Sequence, residues 1–96
     1  MKIKKVTVNL ASARTDGSLV SEGTLPQGCV FKYLTVWKVG SGTFSFKFKH
    51  EDGSLSEAFN SSELAVADVF DVWFTDLIFT NTAQSGAENP IFILSW

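Results

Sequence analysis

Thr43 to Lys49, TFSFKFK, alternates at every step: Phe44, Phe46 and Phe48 share one side, and Ser45, Lys47 and Lys49 the other. Period two belongs to a β-strand with one face against a core and one in water; helical spacing scatters these residues around the axis. The same period recurs in Lys2–Leu10. There Val6, Val8 and Leu10 share a face, Ile3 is out of phase, and Lys5, Thr7 and Asn9 take the other side. Cys29–Val39, CVFKYLTVWKV, puts Val30, Leu34 and Val36 on one side, interrupted by Lys32, and Phe31, Tyr33 and Trp37 on the other. Apolar groups on both faces predict a central strand that is covered twice.

Turn signals divide these runs: Asp16-Gly17, Pro26-Gln27-Gly28, Gly40-Ser41-Gly42 and Glu51-Asp52-Gly53-Ser54. Ser18–Ser21 reads as a further short strand. The brevity of Gly40-Ser41-Gly42 predicts that the strands on either side form an antiparallel hairpin. Leu55–Asp68 has two readings. Ser61 or Ser62 followed by Glu63 caps a short helical turn through Ala67, or the segment is a loop with a brief strand at Ala65-Val66. Short strands separated by glycine-rich turns predict an all-β chain with little helix: one domain, residues 1–96, folded as a single antiparallel β-sandwich, jelly-roll or Greek-key like.

Val69–Trp96 is the most apolar part and reads as two strands, Val69–Phe79 and Ile91–Trp96, joined by a polar connection, Thr80–Pro90. Continuous alternation from Val69 assigns Phe70, Val72, Phe74 and Ile78 to the core. Trp73, Leu77 and Phe79 fall on the opposite face and require a cover from outside the domain. With Trp37 and Trp96 they are the candidate interface residues, since large aromatics dominate buried contacts.

Reaction chemistry is not visible. The single histidine, His50, stands at a strand end beside Glu51 and Asp52, with no nucleophile-elbow pattern to serve. The single cysteine, Cys29, reads as a small core residue, cannot form an internal disulfide, and fits a reducing compartment or a fold indifferent to oxidation. One Cys and one His cannot make a structural zinc site, and Asp68, Asp71 and Asp76 lack the spacing of a calcium loop; they read as a solvated acidic edge. The expectation is therefore no catalytic, metal or cofactor site.

Partners are narrowed by charge. All eight Lys and Arg lie in residues 1–50 against two acids, +6, whereas residues 51–96 hold eight acids and no base, −8. Either basic and acidic strands neutralise each other as cross-strand neighbours, or the domain is dipolar and associates head to tail. Nucleic acid is disfavoured because the rings and lysines of FSFKFK occupy opposite faces and the net charge is −2. MKIKKVTVNL resembles a signal peptide, but its alternation is that of a first strand, so secretion by a signal peptide is not expected. Val69–Phe79, broken by Asp71 and Asp76, is too short to span a membrane.

One resemblance bears on function. The order FKYLTVWKVGSGTFSFKF, then DVWFTDLIFTNTAQSGAENPIFILSW, resembles the small β-sandwich structural proteins of tailed-bacteriophage virions. The motif that carries it runs from Ile78 through Phe79-Thr80-Asn81-Thr82-Ala83-Gln84-Ser85 to Gly86, and here Ala87-Glu88-Asn89-Pro90 lengthens the turn after the glycine. The resemblance implies a non-enzymatic virion component, a capsid decoration or cement protein or a small fibre or tail subunit. Such a protein is made and assembled in the host cytoplasm and acts in many copies against itself and other virion proteins such as the major capsid protein. The alternative is a carbohydrate- or receptor-binding sandwich whose exposed aromatics stack on a glycan.

Overall fold

The computed structural model describes residues 1–96. Eight strands follow in order: β1 (Ile3–Thr7), β2 (Arg14–Ser18), β3 (Phe31–Lys38), β4 (Ser45–Lys49), β5 (Phe59–Asn60), β6 (Val69–Phe74), β7 (Asp76–Asn81) and β8 (Ile91–Ser95). They form two antiparallel four-stranded sheets, sheet A with the order β1-β8-β3-β6 and sheet B with the order β2-β7-β4-β5. The pairings nest: β1 with β8, β2 with β7, β3 with β6 and β4 with β5. One long hairpin, rolled so that alternate pairs fall in opposite sheets, gives this order, which is that of a jelly-roll sandwich.

Between the sheets lies a core of sixteen buried apolar side chains. The alternating faces of the first and fourth strands behave as their period requires: Val6, Val8, Leu10, Phe44, Phe46 and Phe48 all point inward. Phenylalanine dominates. Phe44 stacks on Phe79 at 5.1 Å, Phe48 meets Phe74 at 4.9 Å, and Phe46 crosses the sandwich to Phe92 at 5.7 Å. Each such pair adds about 0.5–1.5 kcal/mol beyond the area it buries.

The expected hairpin is absent. Gly40-Ser41-Gly42 does not fold β3 against β4; it carries the chain from sheet A to sheet B. A glycine turn has the same local signature in both roles, and here packing decides the residue type. At Gly40, where φ is +80°, a Cβ would lie 2.3 Å from the Glu88 carbonyl oxygen, and at Gly42 it would lie 2.3 Å from Leu10 Cδ1. Likewise β7 and β8 lie in different sheets, and the connection between them crosses the sandwich.

Val69–Phe79 is not one strand. The chain leaves sheet A after Phe74, turns at Thr75, whose N–H donates to the Lys49 carbonyl at 2.8 Å, and enters sheet B at Asp76. This change of sheet inverts the alternation. Phe70, Val72 and Phe74 face the core in β6, but Leu77 and Phe79 face it in β7 and are fully buried, while Ile78 turns outward. A smaller irregularity, between Phe31 and Tyr33, puts Phe31 in the core with Leu34 and Val36.

The remaining segments differ in detail. The second strand is Arg14–Ser18, not Ser18–Ser21, and the residues after it turn around the buried Leu19. The Leu55–Asp68 segment contains a single 3₁₀ turn, Ser61–Glu63, in which Glu63 accepts from the Asn60 N–H at 2.9 Å. It stops well before Ala67, and Ala65-Val66 forms no strand.

A candidate docking face on sheet A

The outward side of sheet A is assembled by register. Ile3, Ser95, Tyr33 and Asp71 lie in one row across the four strands, and Lys5, Ile93, Thr35 and Val69 in the next. Trp37 and Trp73 project from the same side. Ile3 is 69% exposed, Val69 60%, Trp73 56% and Trp37 55%, beside Val66 at 64% in the approach to β6. Singly exposed apolar residues are ordinary, whereas several on one sheet face, two of them tryptophans, make that face a candidate interaction surface.

Lysines flank both indoles. Lys5 Nζ lies 5.8 Å from the centre of the Trp37 ring, and Lys32 Nζ lies 5.5 Å from that of Trp73. Each contact contributes on the order of 0.5–1 kcal/mol at an exposed site. It also covers a ring face that a sugar would need for stacking.

Five residues were candidates for an interface, and the fold separates them. Trp37 and Trp73 are on the outward face. Trp96 is half-buried and packs edge-on against Phe31 at 5.1 Å, so it serves chiefly as a border of the core. Leu77 and Phe79 are removed from the set, because the change of sheet at Thr75 turned them inward. Lys5, Lys32, Ile3 and Val69 join it. Period two in Lys2–Leu10 marked Ile3 and Lys5 as outward, but only the strand order brings them to the same sheet as the tryptophans.

Sheet B presents a different surface. Ser45, Lys47, Lys49, Ile78 and Thr80 face out there, and a shallow cleft of about 330 Å³ at one end is lined by Thr15, Thr43, Asn60 and neighbours. Its one cation is occupied. Arg14 donates through Nε to Glu22 at 2.6 Å and through Nη2 to the same carboxylate at 2.9 Å, and Nη1 reaches the Asn9 carbonyl and Asn81 Oδ1. The hydrogen bonds from Arg14 hold the Glu22 carboxyl below its usual range and raise the guanidinium in turn.

The acidic group does not behave as one solvated edge. Asp71 is exposed, but Asp76 is buried at 7% and accepts the Ser18 hydroxyl, the Val20 N–H at 3.0 Å and the Leu77 N–H at 2.8 Å. The Asn81 and Gln84 side chains also serve the backbone. Asn81 Nδ2 donates to the Ser12 and Thr82 carbonyls, and Gln84 bonds both the N–H and the C=O of Thr43 at 2.7 Å. His50 Nδ1 lies 3.1 Å from the Trp73 carbonyl and therefore donates to it, and no cluster of three or more His, Cys, Asp or Glu is placed to hold a metal ion.

Charge neutralisation between strands is largely unrealised. Of the two ion pairs, only Lys38–Glu88 joins the basic and acidic halves, and Arg14–Glu22 lies within the first. The cause is strand order. Basic β1 pairs only with β8, IFILS, which carries no charge, while the carboxylate opposite Lys49 in the register belongs to Asp76, which is buried under the Ser18–Val20 turn and bonded to it. No protein-family model, curated protein or solved structure matches this chain.

Proposed function

We propose that this chain is a non-enzymatic structural protein of a tailed-phage virion, a capsid decoration or cement protein or a small fibre or tail subunit. It docks through the outward face of sheet A. The observation that carries the reading is that Trp37, Trp73, Ile3 and Val69 all stand exposed on the outward face of one sheet. The resemblance of Ile78–Gly86 to virion sandwich proteins adds the setting. A protein of this kind needs no cofactor, and weak contacts suffice because many copies act together. Its partners are then further copies of itself and a shell protein such as the major capsid protein.

Co-sedimentation with purified tailed-phage heads and, separately, tails tests the proposal. Saturable binding, weakened at least about tenfold by Trp37→Ser with no loss of thermal stability, is the expected result. Failure to bind either particle at high micromolar concentration, or unchanged binding by a Trp37→Ser/Trp73→Ser variant, overturns it. The glycan alternative requires free indole faces, and Lys5 and Lys32 sit over them. A glycan array read by tryptophan quenching separates the two.

A further inference from the structure

We infer that copies of this chain join edge to edge through sheet A, the β6 edge of one copy pairing with the β1 edge of the next. The inference deepens the assembly reading above and rests on it for its setting. Sheet A ends in β1 on one side and β6 on the other. Both edges are open. No hydrogen bond from outside the sheet reaches the backbone of Ile3–Thr7, and only His50, on the Trp73 carbonyl, reaches that of Val69–Phe74. Unpaired edge groups template another strand unless something blocks them.

Charge selects the partner. The β1 edge carries Lys4 and Lys5 beside Lys2, and the β6 edge carries Asp71, with Asp68 just before it. Two β1 edges repel each other, and so do two β6 edges, whereas β1 against β6 attracts. Such an arrangement rejects both symmetric pairings and keeps the head-to-tail one. Direction fits as well. Sheet A is antiparallel throughout, so a second copy translated alongside presents its β1 antiparallel to the first copy's β6.

Register follows from the side chains. Setting Lys5 opposite Asp71 also sets Ile3 opposite Trp73 and Thr7 opposite Val69 on the outward face, and Val6 opposite Phe70 on the inward one. Three of the exposed apolar residues, Ile3, Trp73 and Val69, thereby gain cross-strand partners. Lys5 leaves its exposed contact with Trp37 to do so. A five-residue edge is short, so a single junction is weak. Because the two surfaces differ, the junction repeats as a ring or a filament instead of closing as a two-fold dimer.

Sedimentation velocity of the purified chain over a range of concentrations tests this, with Lys5→Glu, Asp71→Lys, their equimolar mixture and the double variant. Both residues are exposed, and thermal melts confirm that each variant folds. The wild type should grow in mass with concentration, less so in 0.5 M than in 0.05 M NaCl, as screening predicts. Each single variant should lose about tenfold in association, and both the mixture and the double variant should regain it, because each restores opposite charges at every junction. A wild type that stays monomeric at millimolar concentration, or a mixture no better than its components, overturns the inference. So does loss of self-association on Trp37→Ser alone, since Trp37 lies on an inner strand. Particle binding that survives in the edge variants and depends on Trp37 leaves the docking reading standing when the edge inference fails.

Discussion

Asp76 is the most informative residue to perturb, because its neighbours fix the size of the effect. Oδ1 accepts two backbone N–H groups, those of Val20 and Leu77, and Oδ2 accepts the Ser18 hydroxyl. Asp76→Ala removes both acceptor oxygens, and with them all three hydrogen bonds, at a site only 7% exposed. Hydrogen bonds to a charged group contribute about 1.5–3 kcal/mol each, and each stranded buried donor costs about 1–3 kcal/mol. Partial relaxation of the 19–24 turn lets water reach some of these groups, so the expected loss is about 3–4 kcal/mol. For a domain of this size that lowers the melting temperature by roughly 12–30 °C. Asp76→Asn separates geometry from charge. An amide oxygen in the Oδ1 position still accepts both N–H groups, while Nδ2 donates to Ser18 Oγ, whose hydroxyl can rotate. Its expected cost is about 1 kcal/mol. Urea denaturation of both variants, with m-values checked for constancy, gives the comparison. If Asp76→Ala lies within 1 kcal/mol of wild type, or Asp76→Asn is the more damaging, the role assigned to this carboxylate is wrong.

Other substitutions test the crossings, the faces and the one well-formed ion pair. Gly40→Ala, which combines positive φ with a 2.3 Å approach to the Glu88 carbonyl, should cost over about 2 kcal/mol, against about 1 kcal/mol for Gly53→Ala, where φ is +86° in open space; thermal melts rank the pair. Trp37→Ser should change stability by less than about 1 kcal/mol, whereas Leu77→Ala should cost about 2–5 kcal/mol, and chemical denaturation distinguishes them. Glu22 is held below its usual value of 4.5, so its contribution is present above that pH and is lost as pH falls through the folded value. Glu22→Gln should therefore differ from wild type by at most about 1 kcal/mol near neutrality, after allowing for solvent screening, and the two should converge as pH falls below the usual carboxylate range. Acid titrations of melting temperature check the convergence.

What could be read from the chain follows how far each signal reaches. The inward set Val6, Val8, Leu10 and Phe44, Phe46, Phe48 was legible because alternation and core contact are both local to a strand. The change of sheet at Thr75 was not, since Val69–Phe79 scores as apolar in any phase. Its trace was the adjacent polar pair Thr75-Asp76 between the apolar doublets Trp73-Phe74 and Leu77-Ile78, which is where the period slips. Asp76 looked solvated because its hydroxyl partner, Ser18, is 58 residues away. The Gly40-Ser41-Gly42 crossing read as a hairpin because what packs against it, the Leu10 side chain and the 88–89 backbone, is also remote in sequence. Trp37 and Trp73 were visible as large aromatics, but the strand order alone showed that they share the outward face of sheet A with Ile3 and Val69.

Nested pairing has a consequence for how the molecule reaches its native state. The pair nearest in sequence, β4 with β5, is also the smallest, with only Ser45–Asn60 and Phe46–Phe59 in register. Every other pair closes a longer loop, and β1 gains its strand partner only when β8 arrives. Chains dominated by such distant contacts fold in milliseconds to seconds, and one emerging from the ribosome must hold β1 unpaired until Ile91–Ser95 is synthesised. The Lys2 N–H meets the Trp96 carbonyl at 2.5 Å, so the two ends already touch. Joining them and reopening the chain at the Asp52-Gly53 turn would make β1 and β8 neighbours in sequence, converting the slowest closure into a local hairpin.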